Sequence, residues 1–501
     1  MSVVPRHWTG HSRPPSHSFR GPTFGFGPLH LWARNRWAKK PFPIPGALFK
    51  AGFHIACHGL LALSWLAMDG SAHAQGCAPL PDGRNPCPVQ LVRPVARPLS
   101  AMAQVGRDIF FDQALSGSGH LSCASCHVPQ NDYAPAGTTG FMPGGRRLER
   151  QGSRNVPSLM YLERQPPFSI GPDNAESEGT GTPPAAPLPT PSQSPPAGTS
   201  PTPSTAPPPA KTARNTQDSA ANLVPQGGLF WDGRADTLEE QANGPLFNPD
   251  EMAADKAAVI HHLQHASYTA ALLALIGPNA ANKPDLLLSE ALFALARYQM
   301  EEQRFHPYSS KFDLWLEGKA AFTPQERRGY LAFNDPDRAN CAACHVDLVG
   351  PDRVPPLLTD YQFEALGVPA NAHTPRPTPD LGLCDSGRLI AKAAGYCGMF
   401  RTPSLRNVSR RQVFFHNAAL TSLTQAVDFY RLRDPMPQAF YPRNRAGQVL
   451  KYNDLPERFH PNIDTQDKPF GQAEGMAPAF SEQERDDIIA FLKTLADRRQ
   501  H

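Results

Sequence analysis

The chain shows almost no strand-like alternation of apolar and polar residues, and no apolar run comfortably long enough to cross a bilayer. The first absence argues against a sheet-based fold. The second argues against a membrane span in the mature chain. An excess of one charge is missing too. The formal charge is +3, but residues 1–74 hold eight of the 48 Lys and Arg and only one of the 45 acids. The remaining chain, with 40 basic and 44 acidic residues, offers nothing to nucleic acid. Residues 171–220 lack aliphatic side chains at any period. Rich in Pro, Ser, Thr, Ala and Gly, they cannot bury enough surface to order themselves, and are read as an extended insertion. One local absence matters more. No histidine lies between His127 and His261.

What is present starts with an export signal. Arg34, Arg36, Lys39, Lys40 and Lys50 precede an apolar run at 59–68, and Ala72-His73-Ala74 fits a small-x-small cleavage site. Residues 1–74 are therefore expected to be removed on the way to the periplasm, the alternative being an uncleaved anchor. The basic region is unusually long for such a signal.

Two pentads organise the rest: Cys123-Ala124-Ser125-Cys126-His127 and Cys341-Ala342-Ala343-Cys344-His345. Each is the attachment signature of a c-type haem. The two thiols add to the haem vinyl groups, and the adjacent imidazole coordinates the iron. A zinc or redox reading of one Cys-x-x-Cys does not explain why the whole pentad, histidine included, occurs twice. Two covalent haem c groups are expected, and their attachment outside the cytoplasm agrees with export. Of nine cysteines, Cys57 leaves with the signal and four hold haem. Cys77 with Cys87, and Cys384 with Cys397, remain as local disulfide pairs in an oxidising compartment. The first pair falls at an apparently frayed terminus, where it should contribute little. The second could fix a loop.

Residues 75–98 are Pro-rich and read as irregular. Helices are expected at 102–111, after the turn at 231–241, at about 255–276 and at 284–303. Thr323-Pro324-Gln325-Glu326 and Ser481-Glu482-Gln483-Glu484 are capping boxes. The second opens a C-terminal helix with Ile488, Ile489, Phe491, Leu492 and Leu495 facing inward. The class is mainly α.

The pentads, Trp231-Asp232-Gly233-Arg234 between them and Phe400-Arg401-Thr402-Pro403-Ser404-Leu405-Arg406-Asn407-Val408 after them resemble the bacterial di-haem cytochrome c peroxidase/MauG superfamily. The resemblance spans most of 100–165 and 225–495. It implies two cytochrome c-like domains packed face to face, a peroxidatic one at 99–305 and an electron-transfer one at 306–501. It also implies residue roles. Glu251 matches the catalytic glutamate, Gln241 its partner amide and Pro245 a residue crowding the same pocket. Trp231 matches a relay between the haems. Read alone, Glu251 is an acid at a helix start, Gln241 a solvated helix residue and Trp231 core packing. The gap in histidine after His127 leaves the first iron with an open position, as in the MauG branch; Met142 is the other candidate ligand there. Tyr430 stands where classical members carry the second haem's methionine, with Met399 and Met436 as alternatives. A Ca²⁺ site would use the Asn155 side chain and the carbonyls of Arg411 and Val413, although an arginine there disfavours a second cation.

The implied activity is reduction of hydrogen peroxide, with a small periplasmic cytochrome or copper protein as electron donor. The alternatives are a MauG-like oxidase, in which both haems share a high-valent state and oxidise residues on a partner protein, and a dihaem electron carrier without catalysis. A carrier has no use for a proton shuttle such as Glu251.

Overall fold

The computed structural model describes residues 77–138, 140–172, 223–375, 379–388 and 394–498. The export segment, and the insertion apart from its first two residues, lie outside them. Among the described residues ten α-helices follow in order: α1 (Ala101–Phe111), α2 (Cys123–Cys126), α3 (Leu238–Phe247), α4 (Lys256–Leu263), α5 (Thr269–Ile276), α6 (Pro284–Glu301), α7 (Lys311–Leu316), α8 (Pro324–Phe333), α9 (Leu423–Leu432) and α10 (Glu482–Lys493). Six strands of two to four residues form three antiparallel ribbons: β1 (Pro143–Gly144) with β2 (Arg150–Gln151), β3 (Ser169–Pro172) with β4 (Leu223–Gln226), and β5 (Phe363–Glu364) with β6 (Phe400–Arg401). Segments this short carry no readable alternation. The fold is mainly α, as expected.

Two helix crossings are built alike. Ser100 caps α1, its side chain accepting from Ala103 N. The helix buries Val105, Ile109 and Phe110, and at its crossing with α6 sits Gly106, where a Cβ would lie 1.8 Å from Ala294 O. Both capping boxes form, on α8 and α10. At the crossing of those two helices Gly329 plays the same part, a Cβ there lying 1.8 Å from Asp487 O. Neither backbone approach tolerates a side chain. Each crossing anchors one aromatic core. In the first, Tyr133 stacks on Phe305 with centroids 3.7 Å apart, and Cys123 and Ala124 pack against the cluster. In the second, Trp315, Tyr330 and Phe491 surround Phe312 and Phe322 stacks on Trp315, with Cys341 and Ala342 alongside. Each pentad thus stands on its own core.

Three expectations change. The helix expected over 255–276 is two, α4 and α5, because His262 Nε2 and the Tyr268 hydroxyl both bond Asp112 Oδ2 at 2.7 Å. One straight helix would not aim residues six apart at one carboxylate. Gly171 and Pro172, expected to open the insertion, instead pair with Val224 and Leu223 in a ribbon. The N-terminal segment is not frayed. Gly83 O accepts from Trp315 Nε1 and from Phe322 N, each at 2.9 Å. Gly83 adopts φ +83°, and a Cβ would collide with Phe322 O at 1.9 Å. The Cys77–Cys87 disulfide closes this loop over the second core. Cys384 and Cys397 are likewise bonded.

A buried ion pair ties segments far apart in the chain. Arg406 meets Asp313 through two bonds of 2.8 and 3.0 Å, with side chains 1% and 0% exposed. The guanidinium lies about 5.0 Å from the Tyr161 ring centroid and 4.9 Å from that of Tyr308. Arg406 and the Ser310 cap hold the Asp313 carboxyl below the usual carboxylate range despite its burial. Its stabilising contribution is therefore present above the unfolded pKa and lost as pH falls through the lower, folded one. Removing one partner strands the other charge. Arg406→Ala is expected to destabilise the holoenzyme by about 3–5 kcal/mol in denaturant titrations at neutral pH. A change below about 1 kcal/mol would mean that water reaches Asp313 and replaces the pair.

Candidate haem sites and the wall between them

The first pentad begins on α2, a single turn in which Ser122 N donates to Ser125 Oγ at 2.9 Å. Cys123 and Cys126 are not joined in a disulfide and line a cavity together with His127. His127 Nδ1 meets Tyr133 O at 3.2 Å. That contact fixes the tautomer: Nδ1 carries the proton, and Nε2 keeps its lone pair for a metal. Burial also pulls the His127 pKa down to about 4, so the ring is neutral, the form that ligates. The second pentad repeats every part. Cys341 and Cys344 line a second cavity with His345. His345 Nδ1 meets Leu358 O at 3.0 Å, and burial lowers its pKa to about 4. Tyr133 and Leu358, which supply the two carbonyls, are both left-handed, at φ 51° and 53°. Paired thiols, an oriented neutral imidazole and a largely apolar cavity fit covalent haem c at both places.

The first cavity gathers the residues expected around an open iron. Gln241, Pro245, Glu251 and Met142 line it with His127. Thr237 caps α3, accepting from Glu240 N, and the helix carries Gln241, 8% exposed, and Pro245. The chain then turns back: Met252 N donates to Pro245 O at 3.1 Å and Glu251 N to Asn248 O at 3.0 Å. Asn248 Nδ2 donates to Glu251 Oε1 at 2.7 Å. Glu251 is part-exposed, because it faces the cavity. Its surroundings are dry enough that burial raises its pKa, with Arg234 and Asn248 opposing. Sequence reasoning overlooked Asn248 and a glycine pair. Gly144, with no Cβ, admits Asp250 O, which would lie 2.1 Å from one, and Gly145 N donates to Glu251 O at 2.8 Å. The signal was legible as two adjacent glycines in the loop after the pentad.

Trp231 lines both cavities. Its Nε1 donates to Asn155 O at 2.8 Å, and its own carbonyl accepts from Arg401 N at 2.9 Å. The indole is thus tied to one segment that follows the first pentad and one that follows the second. Arg154 stiffens the same wall, bonding Asp232 at 2.6 Å and Asp380 through two bonds of 2.6 and 2.7 Å.

Tyr430, on α9, lines the second cavity with His345. Its ring stacks on Phe470 at 5.7 Å, with Phe415 and Phe429 at its edges. Burial raises its pKa. Met399 is buried in a separate cluster around Phe363, and Met436 is 43% exposed; neither lines this cavity. At the expected Ca²⁺ site, Arg411 meets Asn155 with its guanidinium rather than its carbonyl. Asn155 Nδ2 lies 3.5 Å from Val413 O and donates to Phe415 O at 3.1 Å, and Arg411 Nη2 donates to Asn155 Oδ1 at 3.2 Å. The one side-chain oxygen already holds a guanidinium, so these residues do not fit a calcium ion. Among the described residues no cluster of three or more His, Cys, Asp or Glu could hold another metal, and no helix is long and apolar enough to cross a membrane.

A profile of the di-haem cytochrome c peroxidase family matches residues 100–321. The cytochrome c551 peroxidase of Nitrosomonas europaea is 26% identical over 348 residues, 68% of this chain and 76% of that one. The diheme peroxidase BthA from Burkholderia thailandensis superimposes with a TM-score of 0.64 at 32% identity, over 83% of this chain and 91% of its own. The methylamine utilization protein MauG of Paracoccus denitrificans is 30% identical over 425 residues, 81% of this chain and 91% of that protein. Likeness of this extent means that the chain belongs to the bacterial di-haem cytochrome c peroxidase/MauG family of oxidoreductases, a membership that implies two haem c groups.

Proposed function

We propose that the enzyme reduces hydrogen peroxide to water in the periplasm, at the first haem site, with electrons arriving through the second site and Trp231. The division of labour follows the expected domains, 99–305 for peroxide and 306–501 for electron entry. The observation that carries the proposal is a single cavity holding both the His127 ring and the Glu251 carboxyl. When bound, the haem iron supplies the redox chemistry of O–O cleavage. The protein supplies the proton path. Glu251 takes the proton from one peroxide oxygen and returns it to the other, so that water leaves. Asn248 holds Oε1 and sets the direction of the carboxylate. The Gln241 amide orients peroxide, and Pro245 narrows the space around it. Two further protons and two electrons complete the reaction to a second water. Among the described residues lining this cavity His127 is the only histidine, so the oxidised enzyme is expected to react with peroxide without prior reduction.

Tyr430 favours a second reading. An anionic ligand at the second haem would suit retention of oxidising equivalents, and with them a MauG-like oxidation of a partner protein. The deciding experiment gives the holoenzyme peroxide with a reduced small cytochrome or copper protein and follows both reactants. Sustained donor oxidation, two electrons per peroxide, supports the peroxidase. Persistent oxidising equivalents that no donor discharges support the oxidase. No reaction with peroxide at all overturns both readings in favour of an electron carrier.

A further inference from the structure

The wall between the cavities already contains a cation. Arg411 Nη2 donates to Asn155 Oδ1 at 3.2 Å and to Val156 O at 2.9 Å. A side-chain amide is an acceptor at one end and a donor at the other. Which end faces the carbonyls of Val413 and Phe415 decides what can sit among them. With the oxygen inward, three oxygens would converge and call for a positive ion. With Nδ2 inward, as here at 3.1 Å from Phe415 O, the carbonyl is met by an N–H and the place is closed. Arginine has donors only, so it can bond the oxygen of Asn155 and would oppose the nitrogen. Arg411 therefore holds the amide in the closed orientation.

Asn155 has no room to turn away. It is 1% exposed. Its N–H donates to His416 O at 2.7 Å and its carbonyl accepts from Trp231 Nε1 at 2.8 Å. A Cβ on Gly140, at φ +70°, would be in van der Waals contact with Asn155 Oδ1, its closest approach being to Ala418, at 2.5 Å. Arg411 lines the second cavity, and its Nη1 is shielded from solvent with no hydrogen-bond partner among the described residues. Its charge therefore faces the cavity.

We propose that Arg411 is a built-in substitute for a metal ion between the haems: the enzyme works without calcium, and the guanidinium supplies both the cross-link to Asn155 and the positive charge. Arg411 is a positioning residue, acting through Asn155 on Trp231. A fixed positive charge beside a haem favours the reduced iron, so the role is visible in the potentials. The inference requires only that both haems be attached, and stands or falls separately from the peroxidase reading.

The test uses the wild-type holoenzyme, Arg411→Thr and Arg411→Lys, each purified from calcium-containing medium. Bound calcium, Tm and both haem potentials are measured with EDTA and with added calcium. The wild type is expected to carry no stoichiometric calcium and to be indifferent to either addition. Arg411→Lys, which keeps the charge, should behave likewise. Arg411→Thr frees the amide to turn its oxygen inward. It should acquire calcium, show a lowered haem potential in EDTA and recover it when calcium returns. Stoichiometric calcium in the wild type, with a fall in Tm when EDTA removes it, overturns the proposal. So does an Arg411→Thr enzyme that folds but binds no calcium and keeps its potentials. If Arg411→Thr does not fold, the wild-type and Arg411→Lys measurements decide.

Discussion

Glu251→Gln is expected to slow the reaction with peroxide by about 10²–10⁴-fold while both haems stay attached, the usual worth of a positioned acid–base group. Glutamine keeps the shape of the side chain but cannot carry the proton. The bond from Asn248 Nδ2, 2.7 Å in the wild type, can be retained by the amide oxygen, so the cavity should persist. The pH profile offers a second reading. Burial raises the Glu251 pKa above its ordinary value of 4.5. A base that must accept the first proton is active only above its own pKa. The acid limb of kcat/KM should therefore lie above the ordinary glutamate range, and should vanish in Glu251→Gln. Stopped-flow mixing with peroxide across pH gives both answers. An unchanged rate would reduce Glu251 to an acid at a turn.

Replacing Tyr430 by methionine should raise the potential of the second haem by on the order of a few tenths of a volt, within the range over which axial ligands tune haem iron. Tyrosinate stabilises ferric iron by its negative charge, whereas the neutral thioether of His/Met ligation favours the reduced state. The pocket should accept the change. Phe470, Phe415 and Phe429 surround the ring, and methionine is a flexible apolar filler. A spectroelectrochemical titration would resolve the second haem from the first. The variant should also hold oxidising equivalents for a shorter time after peroxide, moving it towards the classical peroxidases. If neither Tyr430→Met nor Tyr430→Phe alters the second haem's spectrum, another group is the ligand. Met399 and Met436 would need the chain to rearrange, since neither lines that cavity.

What could be read from the sequence was chemistry that leaves a local signature. A haem thioether needs two cysteines and a histidine at one spacing, and a capping box needs its acid three residues after its hydroxyl, so pentads and helix starts were plain. Helix ends were less so. The boundary between α4 and α5 depends on Asp112, 150 residues away from His262, and no period in the sequence reports such a partner. The N-terminal segment was misread for the same reason. Its proline content says only that it is not helical, while its place on the second core is decided by a bond from Trp315, 232 residues on. Around the first cavity the resemblance named Glu251, but not Asn248 or the Gly144-Gly145 pair, whose importance lies in how closely two backbones approach.

The pairing of β3 with β4 bears on how this gene can change. Pro172 stands opposite Leu223 in the ribbon, so the residues between them leave and re-enter the fold at neighbouring points. The entropy of closing a loop grows only logarithmically with its length, about 0.6 kcal/mol for each doubling. The interval 173–222 can therefore lengthen, shorten or drift in sequence at small thermodynamic cost, provided Ser169–Pro172 and Leu223–Gln226 keep their register. The same geometry makes it a natural port for protein engineering, where a short hairpin turn or an entire foreign domain could be spliced in while the chain on either side keeps its path.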